Sequence, residues 1–283
     1  MYHKLKRELF THPRVALKHI RRFTERKARV CPFCGVRKNA EIHHTDHRGI
    51  ITYRCNDCNK TFSELIGTIF YRSKIPLHKW MLLIIEWIES TGSISAAEGA
   101  RKIAVSHPTA WKMLMKIRKE LHKNLDKTML TDITEADEAW MGRKDNQEII
   151  LGIVQRGRRR LRLISIPNLK EATLYPHIEA NVEKGSKFFT DQRNTYAITG
   201  IYYHHQAVNH SKHEFARGIA HSNTIEQIWG WIKGIIRTIH HGVSKKYRKY
   251  YLSQFIFRYE HEHTKNMFFF TLFNLFSPTY CLI

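Results

Sequence analysis

Two Cys-x-x-Cys pairs, Cys31-Pro-Phe-Cys34 and Cys55-Asn-Asp-Cys58, constrain the fold more tightly than any other feature of the chain. Each pair brackets a tight turn, and such a turn presents two thiolates to one tetrahedral Zn²⁺. The twenty residues between the pairs suit a hairpin, so residues 27–70 are expected to form a zinc ribbon around one structural Zn²⁺ held by Cys31, Cys34, Cys55 and Cys58. The alternative is four buried or redox-active cysteines. Disulfides are the poorer reading, because Met1 to Arg29 is basic throughout and lacks the apolar core of a signal peptide. His43, His44 and His47 lie between the pairs and can replace a ligand, although the hairpin's exposed face is their expected place. A ribbon this small cannot fold on its own core, so the metal is expected to supply much of its stability.

Charge narrows the partner. The 283 residues carry 47 Lys and Arg against 25 Asp and Glu, a net charge of +22. Such an excess calls for a polyanion, with nucleic acid first and an anionic membrane surface second. A solvated basic surface is the bland reading, but the excess is too large for solubility alone. At 42% hydrophobic and 12% aromatic, the chain can build a core. The apolar stretch Met267 to Ile283 is interrupted by Asn274, Ser277 and Pro278. It is shorter than the ~20 residues a spanning helix needs, so a terminal helix packed on the core is expected, with no membrane partner.

Residues 1–26 form a basic lead-in, helical around Arg14 to Arg26. Residues 77–90 have a strongly apolar helical face, broken by Thr91-Gly92-Ser93, and helices follow at 94–103 and 107–124. Ala96, Ala97 and Ala100 are small enough for close packing. Val105-Ser106 makes the turn, Ser106 is a good N-cap and Pro108 suits a first helical turn. Trp111, Leu114, Ile117 and Leu121 recur at helical spacing, while Lys112, Lys116, Arg118 and Lys119 fall elsewhere. Residues 75–125 thus read as a helix-turn-helix with a basic second helix, against the alternative of an ordinary helical hairpin with a solvated face.

The pattern changes near Thr131. Ile133 to Trp140, Glu148 to Gln155 and Leu161 to Ile166 read as three antiparallel strands. Helix 169–183, a short strand at 186–190, a strand at 202–208 and helices at 223–240 and 245–262 follow. This order is that of an RNase H-like domain.

Within it, Asp137 sits in mid-strand between Ala136 and Ala139, in conflict with strand propensity and with burial. Such conflicts mark functional sites. Asp191 ends the apolar strand Lys187 to Thr190, where an open sheet presents its site residues, although alone it reads as a turn residue or helix cap. On a helical projection of residues 223–237, Ile225, Ile228, Trp229, Ile232, Ile235 and Ile236 share one broad side. Asn223, Glu226, Gly230, Lys233 and Arg237 form one narrow polar stripe, in which Gly230 leaves room for a phosphate backbone. A merely solvated face does not explain why so apolar a helix keeps a single acid–Gly–Lys–Arg line.

Over residues 27 to about 270 the chain resembles DDE insertion-sequence transposases of the IS1595 (ISXO2-like) family. The likeness rests on CPFC…CNDC, ITEADEAWMGRK, FFTDQ, HSNTIEQIWGWIK and VSKKYRKYYLSQFIFRYEHEH. It implies an α/β (α+β) chain with a zinc ribbon (27–70), a helix-turn-helix region (75–125), an RNase H-like catalytic domain (130–265) and an apolar C-terminal helix or tail (266–283). It also implies three acids: Asp137, Asp191 and a third position that varies between Glu and Asn in the family. Both Glu226 and Asn223 are present here, and the seven residues from Glu226 to Lys233 match the superfamily spacing. Where the family usually has a late Asn-Arg pair, this chain has Glu260-His261.

The implied activity is DNA cleavage and strand transfer with two Mg²⁺ (or Mn²⁺) held by Asp137, Asp191 and Glu226. Lys233 is expected to steady a phosphate and Asn223 to orient a ligand or DNA. The implied partner is double-stranded DNA, as element terminal inverted repeats and target DNA, bound by a homodimer or higher oligomer in the cytoplasm at the nucleoid. Two readings compete with it. One is a DNA-binding regulator whose RNase H-like domain is inert. The other is a nuclease of the same fold that hydrolyses without strand transfer.

Overall fold

A helix that is apolar on nearly every side must be surrounded, and the segment from Trp80 to Trp87 has only Glu86 to offer water. In the computed structural model it lies in the middle of one of two units into which the chain divides, Met1–Glu120 with His263–Ile283, and Leu121–Glu262. The structure describes residues 2–24, 30–191, 199–208, 221–264 and 266–275. The expectations for residues 25–29 and 276–283, and for the Asp191 side chain, lie outside the described part.

The first unit opens with helices α1 (His3–Thr11) and α2 (Val15–Thr24). They are separated at Pro13, which has no N–H to carry a helix through. A three-stranded antiparallel sheet follows, β1 (Ala40–Thr45), β2 (Ile51–Cys55) and β3 (Thr61–Ser63), in that order. Arg21 on α2 forks onto the buried Glu64 carboxylate, with both N···O distances 2.9 Å, and Glu64 also accepts the Ile51 N–H at 2.7 Å. The apolar helix is α3 (Leu77–Glu89), with Trp80 through Ile85 and Trp87 buried. Helices α1, α2 and α10 (Met267–Leu275) pack on it, and so does α4 (Ala96–Ile103). Among the described residues no helix is long and apolar enough to cross a membrane.

The turn between α4 and α5 (His107–Lys123) is built from local chemistry. Ser95 caps α4 by accepting the Glu98 N–H at 3.0 Å, and Ala104 closes it in the left-handed region at φ 50°. Ser106 and Thr109 share a 2.8 Å hydroxyl contact at the start of α5. Leu114, Ile117 and Leu121 are buried, while Lys112, Lys116 and Lys119 are exposed. Arg118 departs from the basic face expected of it and is only 2% exposed. Seven residues after Trp111 is nearly two full turns, so the helix carries Arg118 back onto the apolar side.

The second unit is built on a five-stranded sheet in the order β6-β5-β4-β7-β8. Strands β4 (Ile133–Met141), β5 (Glu148–Gln155) and β6 (Arg160–Ile166) form an antiparallel meander. After helix α6 (Glu171–Asn181), β7 (Lys187–Asp191) returns parallel to β4. The short helix α7 (Thr199–Tyr202) takes up the first residue expected for the last strand, and β8 (His204–Val208) pairs parallel to β7. Ala136, Leu151, Leu174, Ile178 and Phe188 belong to the core on the α6 side. The opposite face receives α8 (Asn223–Thr238), which packs on β4 and β5. Helix α9 (Lys245–His261) packs on β6. Glu260 accepts the Leu161 N–H at 2.9 Å and pairs with Arg162 at 3.2 Å. The residue standing where the related family has Asn is thus a structural anchor of α9.

Gly152 of β5 lies directly across from Asp137 of β4. A Cβ at Gly152 would fall 2.4 Å from the Trp229 ring and 2.8 Å from Ile225 Cδ1, so the missing side chain is what lets α8 lie against the sheet at that level. Replacing Gly152 with Ala should therefore cost about 1–3 kcal/mol by overpacking against a ring that cannot flex away. Urea denaturation measures this; an unchanged midpoint would show that α8 does not lie so close.

Candidate active site and metal centre

Strand alternation decides which acids of the Glu135-Ala-Asp-Glu138 run share a face. Glu135 and Asp137 lie opposite Val154 and Gly152, on the side taken by α8, whereas Glu138 lies opposite Leu151, on the α6 side. Asp137 is half-buried. In the parallel ladder Glu135 pairs with Phe189, and the same register carried two residues further sets Asp137 level with Asp191, the last residue of β7. Two of the expected acids therefore belong to adjacent strands of one sheet, each two residues past the last observed β4–β7 pair.

The third element is α8. Its apolar side is buried through Ile225, Ile228, Trp229, Ile232 and Ile235. Asn223, Glu226, Gly230, Lys233 and Arg237 are all exposed, and among the described residues nothing lies within 4 Å of a Cβ built on Gly230. The stripe expected from the helical projection is thus an open face. Glu226, in the first turn, receives the Ser222 hydroxyl at 2.6 Å, and a carboxylate is favoured there by the N–H groups at the helix start.

Ser222, the N-cap, makes no side-chain cap to the helix. The cap comes from another element. Glu135, fully buried on β4, accepts the Thr224 N–H at 2.9 Å, the Ile225 N–H at 3.0 Å and the Thr224 hydroxyl at 2.6 Å. The Arg156 guanidinium completes its ring of donors. Arg156 also reaches the His221 carbonyl at 2.8 Å and His221 Nδ1 at 2.9 Å, and lies 5.0 Å over the Phe189 ring. A guanidinium can only donate, so Nδ1 is the acceptor in this contact. In β7, Thr190 meets His205 Nε2 at 2.9 Å, and burial holds this imidazole below its ordinary pKa.

Sequence reasoning did not single out Glu135 or Arg156. A trace of them exists in the sequence: a second acid two residues before Asp137 must share its face and find a cation. Arg156, just past the end of the partner strand, is diagonal to it once the Gln155–Thr134 register is known.

In the first unit, Cys31, Cys34, Cys55 and Cys58 have all their sulfurs within 4.8 Å of one another, and the Cys31–Cys58 and Cys34–Cys55 separations are 3.6 Å. Four sulfurs about 2.3 Å from one ion in a tetrahedron would be about 3.8 Å apart, so the four cysteines are positioned to bind a metal such as zinc. The two halves of the site have the same construction. Cys31 and Cys55 accept the N–H of Gly35 and Asn59 at 2.9 Å and donate their own to Val36 and Lys60 at 2.9 and 3.0 Å. Gly35 and Asn59 take the left-handed conformation (φ 74° and 58°), which Gly and Asn adopt most readily. Burial opposes ionisation of Cys31, but the N–H groups of Phe33 and Cys34 and the neighbouring thiols outweigh it and lower its pKa to about 7. The Val36 N–H favours the Cys34 thiolate. Burial and the other three cysteines override it and push Cys34 up to about 12. Crowded thiols that resist a second negative charge are what a divalent cation relieves. His43, His44 and His47 are exposed and are not among this cluster.

Residues 129–260 match the model of the ISXO2-like transposase domain. The chain is 31% identical over 91 residues to an uncharacterised protein in a transposable element of Halobacterium salinarum, a stretch covering 32% of this chain and 30% of that protein. It is 28% identical over 104 residues to an uncharacterised transposase-like protein of Haemophilus influenzae, covering 36% of this chain and 83% of the relative.

Metal analysis of the purified chain should find about one zinc per chain. Cys55→Ser should lose it, together with hydrogen-exchange protection across β1 and β2. A protein without zinc whose four cysteines are all freely alkylated in the native state would contradict the assignment.

Proposed function

We propose that this chain, which belongs through residues 129–260 to the ISXO2-like transposases of the IS1595 family, is a DDE-type enzyme that cuts and joins DNA at the ends of an insertion sequence. The observation that carries this reading is that β4, which bears Asp137, has β7 with Asp191 paired along one edge and α8 with Glu226 packed across its face. The sheet order, three antiparallel strands followed by two parallel to the first, supports an RNase H-like domain. The turn between α4 and α5 and the exposed lysines of α5 support a helix-turn-helix that binds DNA beside a zinc ribbon. The double-stranded partner would be the element's terminal repeats and then the target, and joining two ends calls for a dimer or larger assembly.

Three carboxylates are the right donors for hard divalent cations. Two Mg²⁺ (or Mn²⁺), when bound, would neutralise charge on the attacked phosphate and favour an ionised nucleophile. Asp137 and Asp191, on adjacent strands, and Glu226, on the helix above them, would hold these ions. Lys233, two turns and about 10.5 Å along the stripe from Glu226, would neutralise a neighbouring DNA phosphate. Gly230 between them leaves the backbone of the helix open to that approach. Asn223, exposed in the first turn, would orient a ligand or the DNA. In the first step water forms a bond to phosphorus and the P–O3′ bond breaks, freeing a 3′-OH. In the second step this 3′-OH attacks a target phosphodiester and displaces the target's own 3′-oxygen.

Replacing any one of Asp137, Asp191 or Glu226 with Ala should lower cleavage and joining by on the order of 10³-fold or more, since such groups act as a unit. Binding to terminal-repeat DNA should survive. Gel analysis of nicked and joined products separates transposase from simple nuclease. An active Glu226→Ala with a dead Asn223→Ala would move the third position to Asn223. Undiminished cutting by both Asp137→Ala and Asp191→Ala would end the proposal.

A further inference from the structure

We infer that the Glu135–Arg156 pair is the positioning device of the active site, setting the separation of the three acids and hence the affinity for metal; this rests on the DDE reading above. The pair touches each acid-bearing element immediately before its acid. Glu135 is itself two residues ahead of Asp137 on β4. Its carboxylate binds Thr224 and Ile225, two residues and one residue ahead of Glu226. Arg156 lies on Phe189, two residues ahead of Asp191, and anchors His221 just before α8.

The chemistry of the pair is that of a fixture. Glu135 Oε1 takes the Arg156 Nε–H and the Thr224 hydroxyl, and Oε2 takes the two helix N–H groups. Four donors on two oxygens fill the carboxylate's acceptor sites, so rotating or withdrawing it breaks several bonds at once. Glu135 is fully buried and cannot meet DNA or metal, so it acts only through what it holds. A buried ion pair contributes less to stability than apolar packing of the same volume. Its distinctive property is fixed geometry, because the guanidinium fork and the cap each admit one arrangement. Groups that orient metal ligands typically change metal affinity about 10–100-fold when lost.

The variants are Glu135→Gln, which keeps the shape but turns an amide against helix N–H groups, and Arg156→Lys, which keeps the charge but loses the fork. The full-length chain is titrated with Mn²⁺ by calorimetry without DNA, after its ribbon is loaded with zinc, and Mg²⁺-dependent cleavage is assayed separately. Each folded variant should bind Mn²⁺ about tenfold or more weakly and need correspondingly more Mg²⁺ for cleavage. The double variant Glu135→Gln/Arg156→Lys should be little worse than either single one. Leu174→Ala, destabilised in the core on the other face of the sheet, should keep the parent's Mn²⁺ affinity. If Glu135→Gln does not fold, Arg156→Lys is judged by the same criterion. A folded Arg156→Lys with the parent's Mn²⁺ affinity overturns the inference, and so does Leu174→Ala weakening Mn²⁺ as much. Asp137→Asn separates the two levels. If it loses Mn²⁺ while the pair's variants do not, only the positioning role fails; if it changes neither binding nor cleavage, the DDE reading falls and takes the inference with it.

Discussion

The carboxylate of Glu135, buried under the start of α8, is the contact on which the arrangement of the second unit depends. A helix start leaves N–H groups without partners, and an anion is their best acceptor. Here the acceptor comes from the central strand of the sheet and not from the helix's own N-cap. The consequence is geometric: the first turn of α8 cannot shift along β4 without uncapping itself. Removing one partner of such a buried pair typically costs about 3–5 kcal/mol, because the survivor is left charged in a dry place. Gly152 serves the same closeness from below, by having no side chain between the strand and Trp229.

The first unit rests on a different source of order. Beside the four cysteines, Cys31, Cys55 and Phe62 form a small buried cluster, with Val36, Ala40, Tyr53, Cys58 and Ile66 partly buried against it. A metal held by the four cysteines would add coordination to this small cluster and couple its folding to binding. The helices α1, α2, α4 and α10 gather on α3 instead and draw on ordinary apolar burial. One chain thus combines a cysteine cluster positioned to bind a metal with helices held by packing.

Much of this could be read from the amino-acid sequence, because the relevant signals are local. The four cysteines, the meander from Ile133 to Ile166 and the polar stripe of α8 each follow from spacing within one segment. Asp137 was marked by its conflict with a buried strand, and Asp191 by its place at a strand end. What escaped was non-local or depended on exact phase. Glu135 and Arg156 meet only once the hairpin register is set, and the helix that Glu135 caps lies ninety residues further along the chain. Arg118 looked like one more surface cation until its seven-residue offset from Trp111 was taken into account. Glu260 stood out only as a departure from the related family, and its hydrogen bond to Leu161 gives that departure a structural purpose.

The central claim is that β4, β7 and α8 build a carboxylate metal site whose third member is Glu226. Anomalous diffraction from crystals of the chain soaked in Mn²⁺ tests it most directly. The account predicts anomalous density bound by carboxylate oxygens of Asp137, Asp191 and Glu226, about 2.0–2.5 Å away as expected for hard cations and oxygen ligands. Ordered Mn²⁺ bound only elsewhere, with Glu226 turned away from Asp137, would contradict it.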